Sequence, residues 1–136
     1  LSIVDDLIRD EGLRLKPYRC PAGKLTIGVG RNLDDVGITE DEARVLLSGD
    51  ILRAESTLRR NLSWFMTAPE PVQRGLANMC FNLGFVGLSQ FGKMLSALAS
   101  KDYAAAAAEA LKSKWATQVG ARAERIAALF ESAKET

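Results

Sequence analysis

The chain contains no histidine, only two cysteines and four prolines, and few aromatic residues, 7 % of the total. Without histidine, Ser-His and Cys-His nucleophilic systems are excluded in their usual form. Cys20 and Cys80 are far apart in sequence, and neither has a neighbouring ligand residue, which argues against zinc. No metal and no cofactor are expected. A disulfide between the two is not expected either, because nothing else marks a disulfide-dependent scaffold. An excess of one charge is also missing: 18 basic and 17 acidic side chains give a formal net charge of +1. Phosphate binding needs a concentrated basic face, so nucleic acid is not an expected partner. No apolar run approaches the roughly 20 residues that span a bilayer, and no signal peptide is visible. What remains is a chain of 136 residues, 47 % apolar and 26 % charged, ordinary for a globular protein. Its length suits one domain or two small lobes sharing a chain.

The periodicities are mostly helical. Ser2 is a good N-cap for a short helix carrying Ile3, Val4, Leu7 and Ile8 at helical spacing, and Gly12 can end it. Residues 13–20 and 24–29 read as two strands around the turn signal Pro21-Ala22-Gly23. Residues 31–37 form a polar loop with a stub of third strand. Thr39 and Glu42 make a capping box for a helix over about 39–60, long enough to join two lobes. Thr67 to Pro71 opens another helix, with Val72, Leu76, Met79 and Leu83 on one face. This is the expected central core helix, stopped by Gly84 and followed by a linking segment, residues 85–91. Further helices are expected over 94–99, over 103–114 behind an Asp102 cap, and after Gly120 with Ile126, Leu129 and Phe130 inward. The run AAAAAEAL within 103–114 reads as a closely packed helix. Arg122 and Arg125 lie early in the last helix, where cations oppose its dipole, so an acidic partner is worth seeking; the alternative is an exposed Arg.

One segment carries chemistry. Glu11 is followed by eight residues and Cys20, then by five residues and Thr26, inside DEGLRLKPYRCPAGKLTIGVG. Alone, Glu11 would read as a solvated helix acid and Cys20 as a small apolar strand-end residue. Together the spacing resembles the signature of the phage-type lysozymes, glycoside hydrolase family 24: a Glu, eight residues, an Asp or Cys, five residues and a Thr, with a TIGxG stretch. The resemblance continues through Ile38 to Ala43, Asn78 to Gly84, Lys112 to Trp115 and Arg122 to Arg125. It implies an α+β, lysozyme-like, mainly helical fold. In it a small β-hairpin lobe (about 13–38) is joined by a long helix (about 39–60) to a helical lobe (about 61–136 plus the N-terminal helix). Two departures stand out. The region after Gly30 is short for the family, and Arg31 replaces its usual His.

The resemblance implies a muramidase that hydrolyses the β-1,4 bond between N-acetylmuramic acid and N-acetylglucosamine in peptidoglycan. The expected setting is phage or prophage host lysis, with the protein made in the bacterial cytoplasm and acting as a monomer on the wall in the periplasm. Glycoside hydrolysis needs a proton donor on the leaving oxygen, and Glu11 is the candidate. Apolar neighbours Leu7, Ile8 and Leu15 are expected to help it keep its proton. By resemblance, Thr26 places the attacking water of an inverting mechanism and Arg122 lies near Glu11. Cys20 stands where Asp is commoner; an ordinary thiol is only about 3 % thiolate at pH 7, so an orienting or partly charged role is expected. By resemblance Gly30, Arg31, Asn32, Phe81, Asn82 and Gln118 line the cleft, although Phe81 also reads as core and Asn82 as a helix-end cap. A lytic transglycosylase and a non-catalytic wall-binding module of the same fold stay open as alternatives.

Overall fold

The computed structural model describes residues 2–133. By its internal contacts the chain divides into two compact units, Leu1–Leu46 and Leu47–Thr136.

The N-terminal unit opens with α1 (Ile3–Glu11). The Ser2 hydroxyl accepts the N–H of Asp5 at 3.2 Å. Gly12 closes the helix in a left-handed conformation, φ 81°, its N–H donating to the Ile8 carbonyl. Glu11 is thus the last helical residue. The contact division includes α1 in this unit. Its apolar stripe, Ile3, Val4, Leu7 and Ile8, is exposed, as is Leu15. Three antiparallel strands follow in the order β1 (Arg14–Arg19), β2 (Leu25–Gly28), β3 (Arg31–Asn32). Tyr18 faces Thr26, and Thr26 faces Asn32. The β1 ladder slips between Arg14 and Tyr18, where Pro17 has no N–H to give; an edge strand tolerates that. The Asp34 carboxylate accepts the N–H of Leu25 at 2.7 Å, which ties the loop after β3 back to the sheet.

The helix α2 (Glu40–Asn61) begins at the expected capping box. Glu42 N–H donates to the Thr39 hydroxyl at 3.1 Å, and Thr39 N–H donates to the Glu42 carboxylate at 2.9 Å. The division between units falls within this helix.

The C-terminal unit is helical. A 3-10 turn (Phe65–Thr67) leads into α3 (Glu70–Ser89), followed by α4 (Gly92–Ala99), α5 (Tyr103–Lys112), α6 (Lys114–Val119) and α7 (Ala121–Ser132). The Gln73 side-chain amide donates to the carbonyls of Phe65 and Ala68, fastening the turn to α3. Gly84 leaves helical geometry (φ 70°, ψ 167°), yet the chain re-enters a helical turn instead of the expected linking segment. The helix expected over 103–114 is two helices. Ser113 is extended (ψ 156°), and its hydroxyl accepts the Ala116 N–H to start α6. The alanine run packs as expected: Ala106, Ala107 and Ala110 are buried, and their small side chains let α5 lie close to α7. Leu76, Met79, Leu88, Met94, Ile126 and Phe130 form the core around α3. No helix among the described residues is long and apolar enough to cross a membrane.

Gly75 shows how tightly α3 and α7 meet. A Cβ there would stand 2.6 Å from Phe130 Cε1, and Phe130 is fully buried with no room to retreat. Gly75→Ala is expected to cost about 1–3 kcal/mol by overpacking. Gly49→Ala, in open space on α2, is expected to gain up to about 1 kcal/mol from helix propensity. Urea unfolding of both variants checks this; equal stabilities would refute the packing argument.

Candidate active site

The residues of the motif fall at two places on the β2–β3 ladder. The first is its turn end. Gly30 has φ 68°, a left-handed backbone that favours glycine. A Cβ at this position would lie 3.0 Å from Glu11 Oε2 and 3.2 Å from Cδ. The missing side chain is therefore the space that the Glu11 carboxylate occupies. Within this unit, among the described residues, no hydrogen bond or ion pair holds that carboxylate. The apolar surroundings expected from Leu7, Ile8 and Leu15 are not formed here, because all three are exposed.

The second place is the hairpin turn between β1 and β2. Cys20 starts it, half-buried, with its N–H on the Lys24 carbonyl at 3.0 Å and its carbonyl accepting the Gly23 N–H at 2.7 Å. Backbone N–H groups of this tight turn lie near enough to the sulfur to influence it. The Lys24 N–H is the largest influence and pulls the Cys20 thiol below its ordinary pKa; the amides of Ala22 and Cys20 itself and the Thr26 hydroxyl add to it, against partial desolvation. Thr26, buried at 3 % exposure, donates its hydroxyl proton to the Lys24 carbonyl at 2.8 Å. That proton serves one acceptor at a time, so the amides carry the thiolate and the short Thr26–Lys24 bond is the standing one. The Thr26 oxygen keeps lone pairs free to accept from a water. Gly30 and Thr26 are separated by two steps of the ladder, about 7 Å along the strand. Cys80, in contrast, is buried in α3, and burial pushes its thiol up; both cysteines are free.

The remaining candidates are placed as follows. Arg31 makes a two-pronged ion pair with Glu42, at 2.9 and 2.7 Å, and donates to the Gly37 carbonyl at 3.1 Å. Arg31 is the first cause, with the Thr39 N–H second, of a Glu42 pKa pushed down to about 2. Both side-chain ends of Asn32 are spent on Asp35: Nδ2 donates to its carboxylate and Oδ1 accepts its N–H. In the C-terminal unit, Phe81 is half-exposed and shares a groove of about 430 Å³ with Arg122, Asn78, Gln73, Ile51 and Phe65. Arg122 donates to the Asn78 side-chain oxygen at 2.9 Å. Asn82 accepts the Trp115 indole N–H at 2.8 Å. Asn82 and Gln118 do not line the groove. Four partners were not among the sequence candidates: Glu42, Lys24, Asn78 and Trp115. Only Asn78 left a signal, four residues before Asn82 on the same helical face.

Gly30→Ala is expected to lower turnover about 10- to 100-fold, since ångström misplacement of a reacting group has costs of that order. Thermal stability should fall only modestly, by the about 1–2 kcal/mol that a left-handed alanine costs. Turnover equal to that of the unaltered protein would show that the Glu11–Gly30 contact is incidental.

The phage lysozyme family profile matches residues 9–132. The chain is 33 % identical over 138 aligned positions to an endolysin of Acyrthosiphon pisum secondary endosymbiont phage 1, covering 92 % of each protein. It is 29 % identical to probable T4-type lysozyme 2 of Dictyostelium discoideum, over 96 % of this chain and 94 % of that one. It also resembles the pre-baseplate central spike protein Gp5 of Enterobacteria phage T4, 28 % identical over 93 % of this chain but only 27 % of that protein. With the family profile spanning almost all of the chain and the Glu11, Cys20 and Thr26 spacing intact, the protein belongs to the phage lysozyme family.

Proposed function

We propose that the chain is a muramidase that hydrolyses the β-1,4 bond between N-acetylmuramic acid and N-acetylglucosamine in bacterial peptidoglycan, by inversion, with Glu11 as the acid. The observation that carries this reading is the arrangement on the β2–β3 ladder: an acid at its turn end, and a hydroxyl with a thiolate-favouring cysteine about two residues along it. An inverting site needs a donor and a water-activating group about 6.5–9.5 Å apart, so that a water fits beneath the sugar. The backbone positions beside these groups, Gly30 and Thr26, lie about 7 Å apart along the strand, which supports a pair of separated groups.

The roles follow from what each group can do. Glu11 delivers its proton to the leaving oxygen as the glycosidic bond breaks. A water donates one hydrogen to the Thr26 oxygen and the other to the Cys20 thiolate, which aims its lone pair at the anomeric carbon. The thiolate takes up the proton that the water sheds, so both halves of the acid–base exchange balance. The biological setting is lysis of a bacterial host, with action at the wall.

Two experiments test the reading. Mass spectrometry of soluble fragments released from purified peptidoglycan should find reducing N-acetylmuramic acid ends, abolished in Glu11→Gln. Anhydro ends would instead identify a lytic transglycosylase, and binding without fragments a wall-binding module. The cysteine is tested by pH. Its ionised form is the working form, so activity should fall as pH drops through the depressed thiol pKa. Cys20→Asp, which ionises near pH 4, should retain or raise activity and carry it to lower pH, whereas Cys20→Ala should lose most of it. Full activity in Cys20→Ala would remove the thiolate from the mechanism.

A further inference from the structure

We propose that Arg31 and Glu42 form a positioning clamp for the catalytic acid, and that Arg31 is not a ligand of the sugar. The inference rests on the reading of Glu11 given above.

The argument begins with what locates the Glu11 carboxylate inside its unit. Glu11 ends α1 on a flexible side chain, and the feature against it is the bare Cα of Gly30. The position of that wall therefore governs the position of the acid. Gly30 leads directly into β3, a strand of only two residues, Arg31–Asn32, paired to Ile27 and Thr26. So short a strand is weakly held by its ladder alone. Something further must fix it, and the residue next to the wall carries the strongest polar contacts of the unit. Arg31 Nη1 and Nη2 donate to the two carboxylate oxygens of Glu42, and Nη1 also donates to the Gly37 carbonyl. A forked guanidinium–carboxylate pair fixes both distance and orientation.

Glu42 is itself immobilised. Its carboxylate also accepts the Thr39 N–H, and its own N–H donates to the Thr39 hydroxyl. The wall is thus tied through Arg31 to the first turn of α2 by a chain of named bonds. Three of the five guanidinium N–H groups are spent within the protein. The depressed pKa of Glu42 means that the pair stays ionised at any pH where the enzyme would work. With so many donors committed inward, Arg31 is poorly placed to serve as a sugar ligand and well placed to hold its neighbour still.

The test uses Arg31→Gln, Arg31→Lys, Glu42→Gln and the Arg31→Gln/Glu42→Gln double variant in the full chain. Initial rates are taken on soluble, uncross-linked glycan strands, with thermal melts of each protein. Expected are falls in kcat of about tenfold or more for Arg31→Gln and Glu42→Gln, with KM held within about twofold. The double variant should be no worse than either single one, and Arg31→Lys should recover part of the loss. A rise in KM for Arg31→Gln with Glu42→Gln unaffected would make Arg31 a sugar ligand and overturn the proposal. A lower melting temperature with kcat unchanged well below it would reduce the pair to a stabilising contact and overturn it equally. Glu11→Gln runs alongside: retained activity there would sink the assignment of the acid, a failure distinct from any result at Arg31.

Discussion

The contact between a carboxylate and a glycine Cα organises the N-terminal unit. A Cβ at position 30 would press on the Glu11 carboxylate at 3.0 Å and displace it. That constraint reaches backwards and forwards along the chain. Backwards, α1 must stop at Glu11, and Gly12 stops it with a left-handed residue. Forwards, the chain must turn within Gly28–Gly30, both left-handed, and enter a strand at once. The short β3, the loop bonds of Asp34 and Asp35 and the Arg31–Glu42 pair all brace this turn from behind. Charged contacts of this kind add little to stability where they are solvent-exposed. Their value here is geometric: a two-residue strand has few other means of holding a fixed position.

The C-terminal unit solves a different problem. It builds its core from one broken helix, α3, and packs alanine and glycine where helices must approach closely. Ala106, Ala107 and Ala110 let α5 approach α7, and Gly75 admits the Phe130 ring. Its polar features are held the same way as those of the small unit, by a neighbour that removes their freedom: Arg122 by Asn78, and Asn82 by Trp115, whose ring meets Phe91 edge-on. Phe81 and Arg122 open onto the apolar groove.

Much of this was legible in the chain because it is written locally. The cap at Ser2, the stop at Gly12, the hairpin turn, the Thr39–Glu42 box and the Asp102 cap each depend on residues a few positions apart, and each lies where the sequence places it. The spacing of Glu11, Cys20 and Thr26 was legible for the same reason. What escaped depends on partners distant in sequence or on competition between local signals. Glu42 read fully as a capping residue, which hid its second bond to Arg31. Ser113 sits within a strongly helical composition, and only its side-chain bond to the next turn breaks the helix there. Gly84 marked an interruption correctly, but a glycine kink between two helical turns has the same local pattern as a stop. Asn32 looked like a free cleft amide until both its ends were seen on Asp35. The expected apolar pocket around Glu11 failed because helical periodicity says which side chains share a face, and nothing about what covers that face.

A cysteine at position 20 makes sense once its backbone is considered. A carboxylate brings its charge at any ordinary pH, whereas a thiol must be persuaded to ionise. The Cys20–Lys24 turn does this without any basic side chain, by aiming amide N–H groups at the sulfur. The same Lys24 then uses its carbonyl to take the Thr26 proton. Lys24 thus acts on both partners: its N–H lowers the Cys20 thiol pKa, and its carbonyl takes the Thr26 hydroxyl proton. In the proposed mechanism a water between them meets two acceptors, and its own lone pair is left for the sugar. The hairpin turn, which sequence alone reads as a connection, is the element that would supply the base in the proposed mechanism.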